Sequence, residues 1–304
     1  MALSVAYVLI TFLGGLVVGI GILVMLALYR FPGQYFDADG VRIFYRVEGE
    51  GTPVVLVHGY GVNADLNWRH PGVVRALRKD YQVILIDVRG HGRSDKPENP
   101  EKYGIETAHD VCRLLDHLGI QKAHVVGYSM GGFITIKLTA MCPDRLLSAV
   151  PCASGWEQPK GRNLELLRSL TESLDRHEGY GALTRALEPV PPPEWKVKLI
   201  DFLMGSLNDN TAMSAVMKNI KELAITEEEL RNNRVPVLSL VGTRDPLGAG
   251  VKDMIEMMPC HEAVYIEKGD HVTTLLKGAY FSNLKAFLAK HSPNKEEESS
   301  NCES

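Results

Sequence analysis

The chain has 304 residues, 45% of them hydrophobic and 23% charged, which suits one large α/β domain with an insertion or two ordinary domains. Its net charge of −4 leaves no electrostatic footprint for nucleic acid. The five cysteines, Cys112, Cys142, Cys152, Cys260 and Cys302, include no Cys-x-x-Cys and are odd in number, which speaks against a disulfide framework or a zinc site.

Val5 to Leu28 is an apolar run broken only by Thr11 and several glycines, and no charged side chain precedes Arg30. As a helix rising about 1.5 Å per residue, it is long enough for a hydrocarbon core of roughly 30 Å. A basic n-region and an Ala-x-Ala site are both missing, so residues 1–30 are expected to be a retained single-span membrane anchor rather than a cleaved signal. Arg30, Arg42 and Arg46 follow the span, which by the positive-inside rule places the folded domain on the cytoplasmic side. The unpaired cysteine pattern agrees with a reducing compartment. Gly15 and Gly19 are spaced as a Gly-x-x-x-Gly pair, though glycine is common in such spans without a packing role.

From Tyr35 to Glu48, Asp39-Gly40 separates two β-prone runs, the pattern of a hairpin at a sheet edge. Val54 to Val57 reads as a buried strand ending in His58-Gly59-Tyr60-Gly61, and Tyr81 to Asp87 as the next, followed by Arg89-Gly90-His91-Gly92-Arg93-Ser94. Helical spacing over Pro71 to Lys79 makes these two strands a parallel pair. A helix over Glu106 to Leu118 follows. Ala123 to Ile136 then reads as strand, sharp turn and helix around Gly127-Tyr128-Ser129-Met130-Gly131. The flanking glycines let strand and helix meet, and the serine is pushed out above the sheet beside the backbone N–H groups of a helix start. Leu147 to Pro151 is the next strand.

Gly155 to about Arg234 contains no buried strand but has helical spacing at Leu164, Leu167, Leu170 and Leu174, and again at Trp195, Leu199, Phe202 and Leu203, with Pro189 and Pro191 to Pro193 between. This predicts a helical cap over residues 155–234, set into a core of residues 31–154 and 235–291. Strand, helix, strand and helix resume at Pro236–Val241, Gly250–Met258, Ala263–Ile266 and Thr274–Ala289. The acidic tail, residues 292–304, is too polar to bury a core and is expected to be disordered.

Alternating strands and helices imply a mostly parallel sheet, with ligands at the carboxyl ends of its strands. Ser129, the Thr243-Arg244-Asp245-Pro246 turn and Gly269-Asp270-His271 all follow strands there, so a serine, an aspartate and a histidine meet on one rim. Taken with His58-Gly59, the Asp87 to Ser94 loop and the glycines around Ser129, this order resembles the α/β-hydrolase superfamily from about Tyr35 to Lys290. The resemblance implies an eight-stranded, mostly parallel sheet flanked by helices. It further implies that Ser129 is the nucleophile, His271 the general base and then acid, and Asp245 the carboxylate behind the imidazole, with the backbone N–H groups of Tyr60 and Met130 as the oxyanion hole. Where some esterases carry His-Gly-Gly-Gly, this chain has His58-Gly59-Tyr60-Gly61.

Asp270, adjacent to His271, is the competing acid. His58 and His91 are expected to shape loops, and Trp68, Trp156 and Trp195 either line an acyl pocket or pack in the core. The serine argues against epoxide hydrolases and haloalkane dehalogenases, whose resemblance would require an aspartate at that position. The expected function is that of a membrane-anchored serine hydrolase acting on small or lipid-like carboxylic esters, which would meet the bilayer through the N-terminal helix. The alternatives are a carbon–carbon hydrolase of diketones and a non-catalytic binding protein. No His-Glu-x-x-His, Gly-x-Gly-x-x-Gly or phosphate loop occurs, so neither a metal nor another cofactor is expected.

Overall fold

The computed structural model describes residues 31–156 and 162–293. The chain divides after Gln34, and apart from Gln34 itself, the first residue of the first strand, the elements below lie in the unit from Tyr35 onward. A hairpin opens it: β1 (Gln34–Asp37) and β2 (Arg42–Glu48) are joined by a turn in which Asp39 and Gly40 have φ of 58° and 77°. Two successive positive φ values match the right-handed twist of paired strands, which is why Asp-Gly stands here.

Six further strands complete the sheet: β3 (Thr52–Val57), β4 (Tyr81–Ile86), β5 (Ala123–Tyr128), β6 (Leu146–Cys152), β7 (Val237–Gly242) and β8 (His261–Ile266). Their order is β1-β2-β4-β3-β5-β6-β7-β8. β2 runs antiparallel to β4, and every pair from β4 to β8 is parallel. Every residue of β5 and β7 is buried, because helices cover both faces of a parallel sheet. Side chains alternate between two cores: Val55, Val57 and Val125 face one, and Val54, Leu56 and Val126 the other.

Helices α1 (Val73–Leu77), α2 (Ile105–His117) and α3 (Met130–Met141) connect the first strands. Between β6 and β7 lie α4 (Arg162–Asp175), α5 (Gly181–Leu187), α6 (Glu194–Leu207), α7 (Asn210–Asn219) and α8 (Glu227–Asn232); α9 (Val251–Met257) and α10 (Gly278–Lys290) finish the core. Pro193 caps the start of α6, where the proline run was expected to interrupt the helices.

Several expectations change. The helix expected over Pro71–Lys79 is shorter, because Gly72 at φ 96° separates it from a π-turn at Asp65–Arg69. The last helix is split by extended backbone at Lys277, leaving a 3₁₀ turn at Thr274–Leu276. On α6, Trp195, which was expected in a pocket or the core, is exposed together with Leu199, Phe202 and Leu203, while Val197 is buried.

The expected membrane localisation, with a cytoplasmic domain and a bilayer partner, is overturned. Among the described residues no helix is long and apolar enough to cross a membrane. The longest, α4 and α6, have 14 residues and rise about 21 Å, short of the roughly 30 Å a span needs. The run Val5–Leu28, on which the anchor was placed, lies outside the described residues, as do residues 294–304 of the tail.

Candidate active site

Strand β5 delivers Ser129 at φ 53° and ψ −115°, a conformation that costs a non-glycine residue roughly 1–3 kcal/mol. The glycines around it are required by contact. A Cβ on Gly127 would meet the Gly131 carbonyl at 1.9 Å, and one on Gly131 would meet the Val57 carbonyl at 2.1 Å. The turn is held by the Ser129 N–H, which donates to the Cys152 carbonyl at 2.9 Å.

Three residues from three strand ends come together. His271 Nε2 is 3.0 Å from Ser129 Oγ, and His271 Nδ1 is 3.0 Å from each carboxylate oxygen of Asp245. With Nδ1–H donating to Asp245, Nε2 is left to accept the serine proton. The Asp245 carboxylate also accepts the Leu247 N–H at 3.0 Å, which fixes it in place. Asp270 is turned away from the imidazole. Its carboxylate accepts the N–H groups of Val272 and Thr273, and those hydrogen bonds help hold it below the usual carboxylate range although burial opposes them.

The loop after β3 is clamped from two sides. His58 Nε2 accepts the Val88 N–H at 2.9 Å, so the proton sits on Nδ1, which lies 2.7 Å from the Gly59 carbonyl. That carbonyl shares a trans peptide with the Tyr60 N–H, and the two point in opposite directions. Anchoring the carbonyl on buried His58 therefore turns the Tyr60 N–H the other way. Asn67 Oδ1 holds the preceding peptide through the Gly59 N–H at 2.9 Å. Gly59 itself backs onto Ser129: a Cβ there would lie 3.3 Å from the serine Cβ. Among the described residues, neither the Tyr60 N–H nor the Met130 N–H donates to a protein acceptor. Burial lowers the His58 pKa and keeps the ring neutral, as the clamp requires.

The second loop is structural. Asp87 accepts the N–H groups of Ala64 and Arg93, tying the loops after β3 and β4 together, and His91 is fully buried with its pKa depressed to about 3 by desolvation.

A cavity of about 510 Å³ opens over Ser129 and His271. Its walls are mostly hydrocarbon from both parts of the chain, including Phe133 and Ile136 of α3 and Leu167 and Leu170 of α4. Of the three tryptophans only Trp156 lines it, with its indole N–H on the Ile225 carbonyl; Trp68 packs in the core against Tyr128 and Trp195 is exposed. Two polar groups have no sequence signature. Asn67 sits in the short turn Asp65–Arg69, which no apolar spacing marks, and the Tyr128 hydroxyl reaches a residue 143 positions away.

A family model for the alpha/beta hydrolase fold matches residues 52–178. RutD of Azorhizobium caulinodans, assigned as a carbamate hydrolase, is 38% identical over 172 residues, which is 55% of this chain and 60% of that protein. The 2-hydroxy-6-oxo-6-phenylhexa-2,4-dienoate hydrolase of Comamonas testosteroni is 36% identical over 112 residues, 36% of this chain and 39% of that one. The chain thus spans less than two thirds of either relative. A pimeloyl-[acyl-carrier protein] methyl ester esterase of Aliivibrio fischeri is 24% identical over 82% of this chain and 98% of its own. Among solved structures, MGS-M2, an alpha/beta hydrolase from a deep-sea metagenome, superposes with a TM-score of 0.73 over 86% of this chain and 99% of its own at 18% identity, a likeness of fold alone.

Proposed function

Because the chain belongs to the α/β-hydrolase superfamily, we propose that it is a serine hydrolase cleaving carboxylic esters through an acyl-enzyme. The observation that carries this reading is the unbroken chain of hydrogen bonds from Ser129 through His271 to Asp245 beneath an apolar cavity.

In this mechanism Ser129 Oγ attacks the ester carbonyl while its proton passes to His271 Nε2. Asp245 holds the imidazole in the accepting tautomer and stabilises the imidazolium that forms. The carbonyl oxygen gains negative charge and takes hydrogen bonds from the Tyr60 and Met130 N–H groups. The imidazolium then protonates the departing alcohol. Water attacks the acyl-serine with His271 again as base, and the acid is released. The residues between β6 and β7 serve as the cap that closes the acyl side of the cavity.

The cavity wall favours an ester with a hydrocarbon acyl group. Besides His271 it carries one basic side chain, Lys221, and one carboxylate, Glu188, and an acyl chain needs neither. The second reading, carbon–carbon cleavage, draws on the dienoate hydrolase relative. Turnover of p-nitrophenyl esters from acetate to palmitate, by wild type and Ser129→Ala, separates the readings when run beside a dienoate whose chromophore reports cleavage. Ester turnover lost in the variant supports the proposal. Dienoate cleavage without ester turnover overturns it in favour of the second reading.

A further inference from the structure

Cys112, in the middle of α2, and Cys142, the residue that ends α3, are 30 positions apart in the chain, yet their sulfurs lie 2.7 Å apart. Both side chains are half-buried, so a small reagent can reach them, whereas Cys152 is enclosed in the core. Two thiols brought together from separate helices are more than two small core residues, because at 2.7 Å their sulfurs are within a small shift of the roughly 2.05 Å of a disulfide bond. We propose that Cys112 and Cys142 are a reversible dithiol–disulfide pair that locks α2 to the carboxyl end of α3.

The oxidant is a low-molecular-weight disulfide of the glutathione class. The Cys112 thiolate attacks one sulfur of that disulfide, breaking its S–S bond and releasing one small thiol as thiolate. Cys142 then loses its proton and attacks the Cys112 sulfur, forming the internal bond and expelling the second small thiol. The protein is oxidised by two electrons and one small disulfide is reduced to two thiols. Cys112 is the attacking member: the hydrogen bond with Cys142, and beyond it the positive Arg145, hold its thiol below the ordinary range. Arg145 is itself fixed by the carbonyls of Ile120 and Gln121 and by Asp116, so its charge stays beside the pair. Cys142 is displaced upward by the same hydrogen bond and acts second.

Closing a 30-residue loop removes entropy from the unfolded chain, so the oxidised form should melt roughly 5–10 °C higher. Trypsin separates the partners cleanly, into peptides 103–113 and 138–145. The experiment equilibrates the full chain in glutathione buffers of increasing oxidised fraction, traps free thiols with iodoacetamide, and reads peptide masses and the thermal midpoint. The expected result is a linked 103–113/138–145 pair, two hydrogens lighter than its parts, which disappears on adding dithiothreitol together with the rise in midpoint. Cys112→Ser and Cys142→Ala should each abolish both changes. Alkylation of Cys112 and Cys142 to the same extent as exposed Cys260 at every ratio, or linkage of either to another cysteine, overturns the proposal.

Discussion

The Tyr128 hydroxyl donates a 2.9 Å hydrogen bond to the backbone carbonyl of His271, so the residue just before the candidate nucleophile holds the main chain of the candidate base. The two groups that exchange a proton in the proposed mechanism are thereby referenced to one strand end. Tyr128→Phe leaves the ring in place but frees that carbonyl, at a cost of about 1–3 kcal/mol for an unsatisfied buried acceptor. The variant should lose roughly tenfold in kcat with little change in KM, and ester kinetics with a thermal melt will check both.

The His58 and Asn67 clamp gives a second test. Asn67→Ala releases the Gly59 N–H and His58→Ala releases the Gly59 carbonyl, and each loosens the peptide bearing the Tyr60 N–H. Loss of a whole oxyanion donor costs about 10²–10³ in turnover, so a loosened one should cost about 10–10². The loss should fall on kcat. A change confined to KM would assign the clamp to substrate binding instead.

Strain at the elbow is measurable as stability. Ser129→Ala keeps a Cβ at φ 53°, whereas Ser129→Gly removes it. The glycine variant should be about 1 kcal/mol more stable than the alanine variant, the reverse of the usual order within a regular element. Denaturant midpoints of the two variants decide it.

How much of this was legible beforehand follows from what each residue type can do locally. The Asp39-Gly40 turn and the glycines around Ser129 announce themselves, because few other residues tolerate those backbone angles or contacts. Strands such as β5 are legible as short apolar runs. Spacing at Trp195, Leu199, Phe202 and Leu203 makes α6 legible as a helix, but periodicity reports a stripe and not what covers it, and Trp195 and Phe202 are exposed. Asn67 and the Tyr128 hydroxyl carry no pattern at all: their partners, Gly59 and His271, are fixed only by tertiary packing. The Cys112–Cys142 approach was hidden for the same reason, since spacing in sequence says nothing about two helices on one face of a sheet.

Desolvated histidines, two buried and one half-buried, set an acid limit. Desolvation brings the His124 and His261 pKa values down to about 4 and that of His91 to about 3, below the unfolded value of about 6.5. Between these limits the unfolded chain binds protons that the folded chain refuses, so stability is complete above about pH 6.5 and falls as the pH drops through the window toward 4. The thermal midpoint should therefore decline from pH 6.5 to 5, ahead of most carboxylates. His124→Gln, which removes one of the three, should make that slope shallower whatever its effect on absolute stability.

In the proposed mechanism Ser129 is an activated nucleophile. Its most direct test is intact-protein and peptide mass spectrometry after treatment with a fluorophosphonate. The expected result is a single adduct on Ser129, formed quickly by wild type, slowed at least about 10³-fold by His271→Ala, and absent in Ser129→Ala. Failure of folded wild type to label, or an equal rate of labelling in His271→Ala, would contradict it.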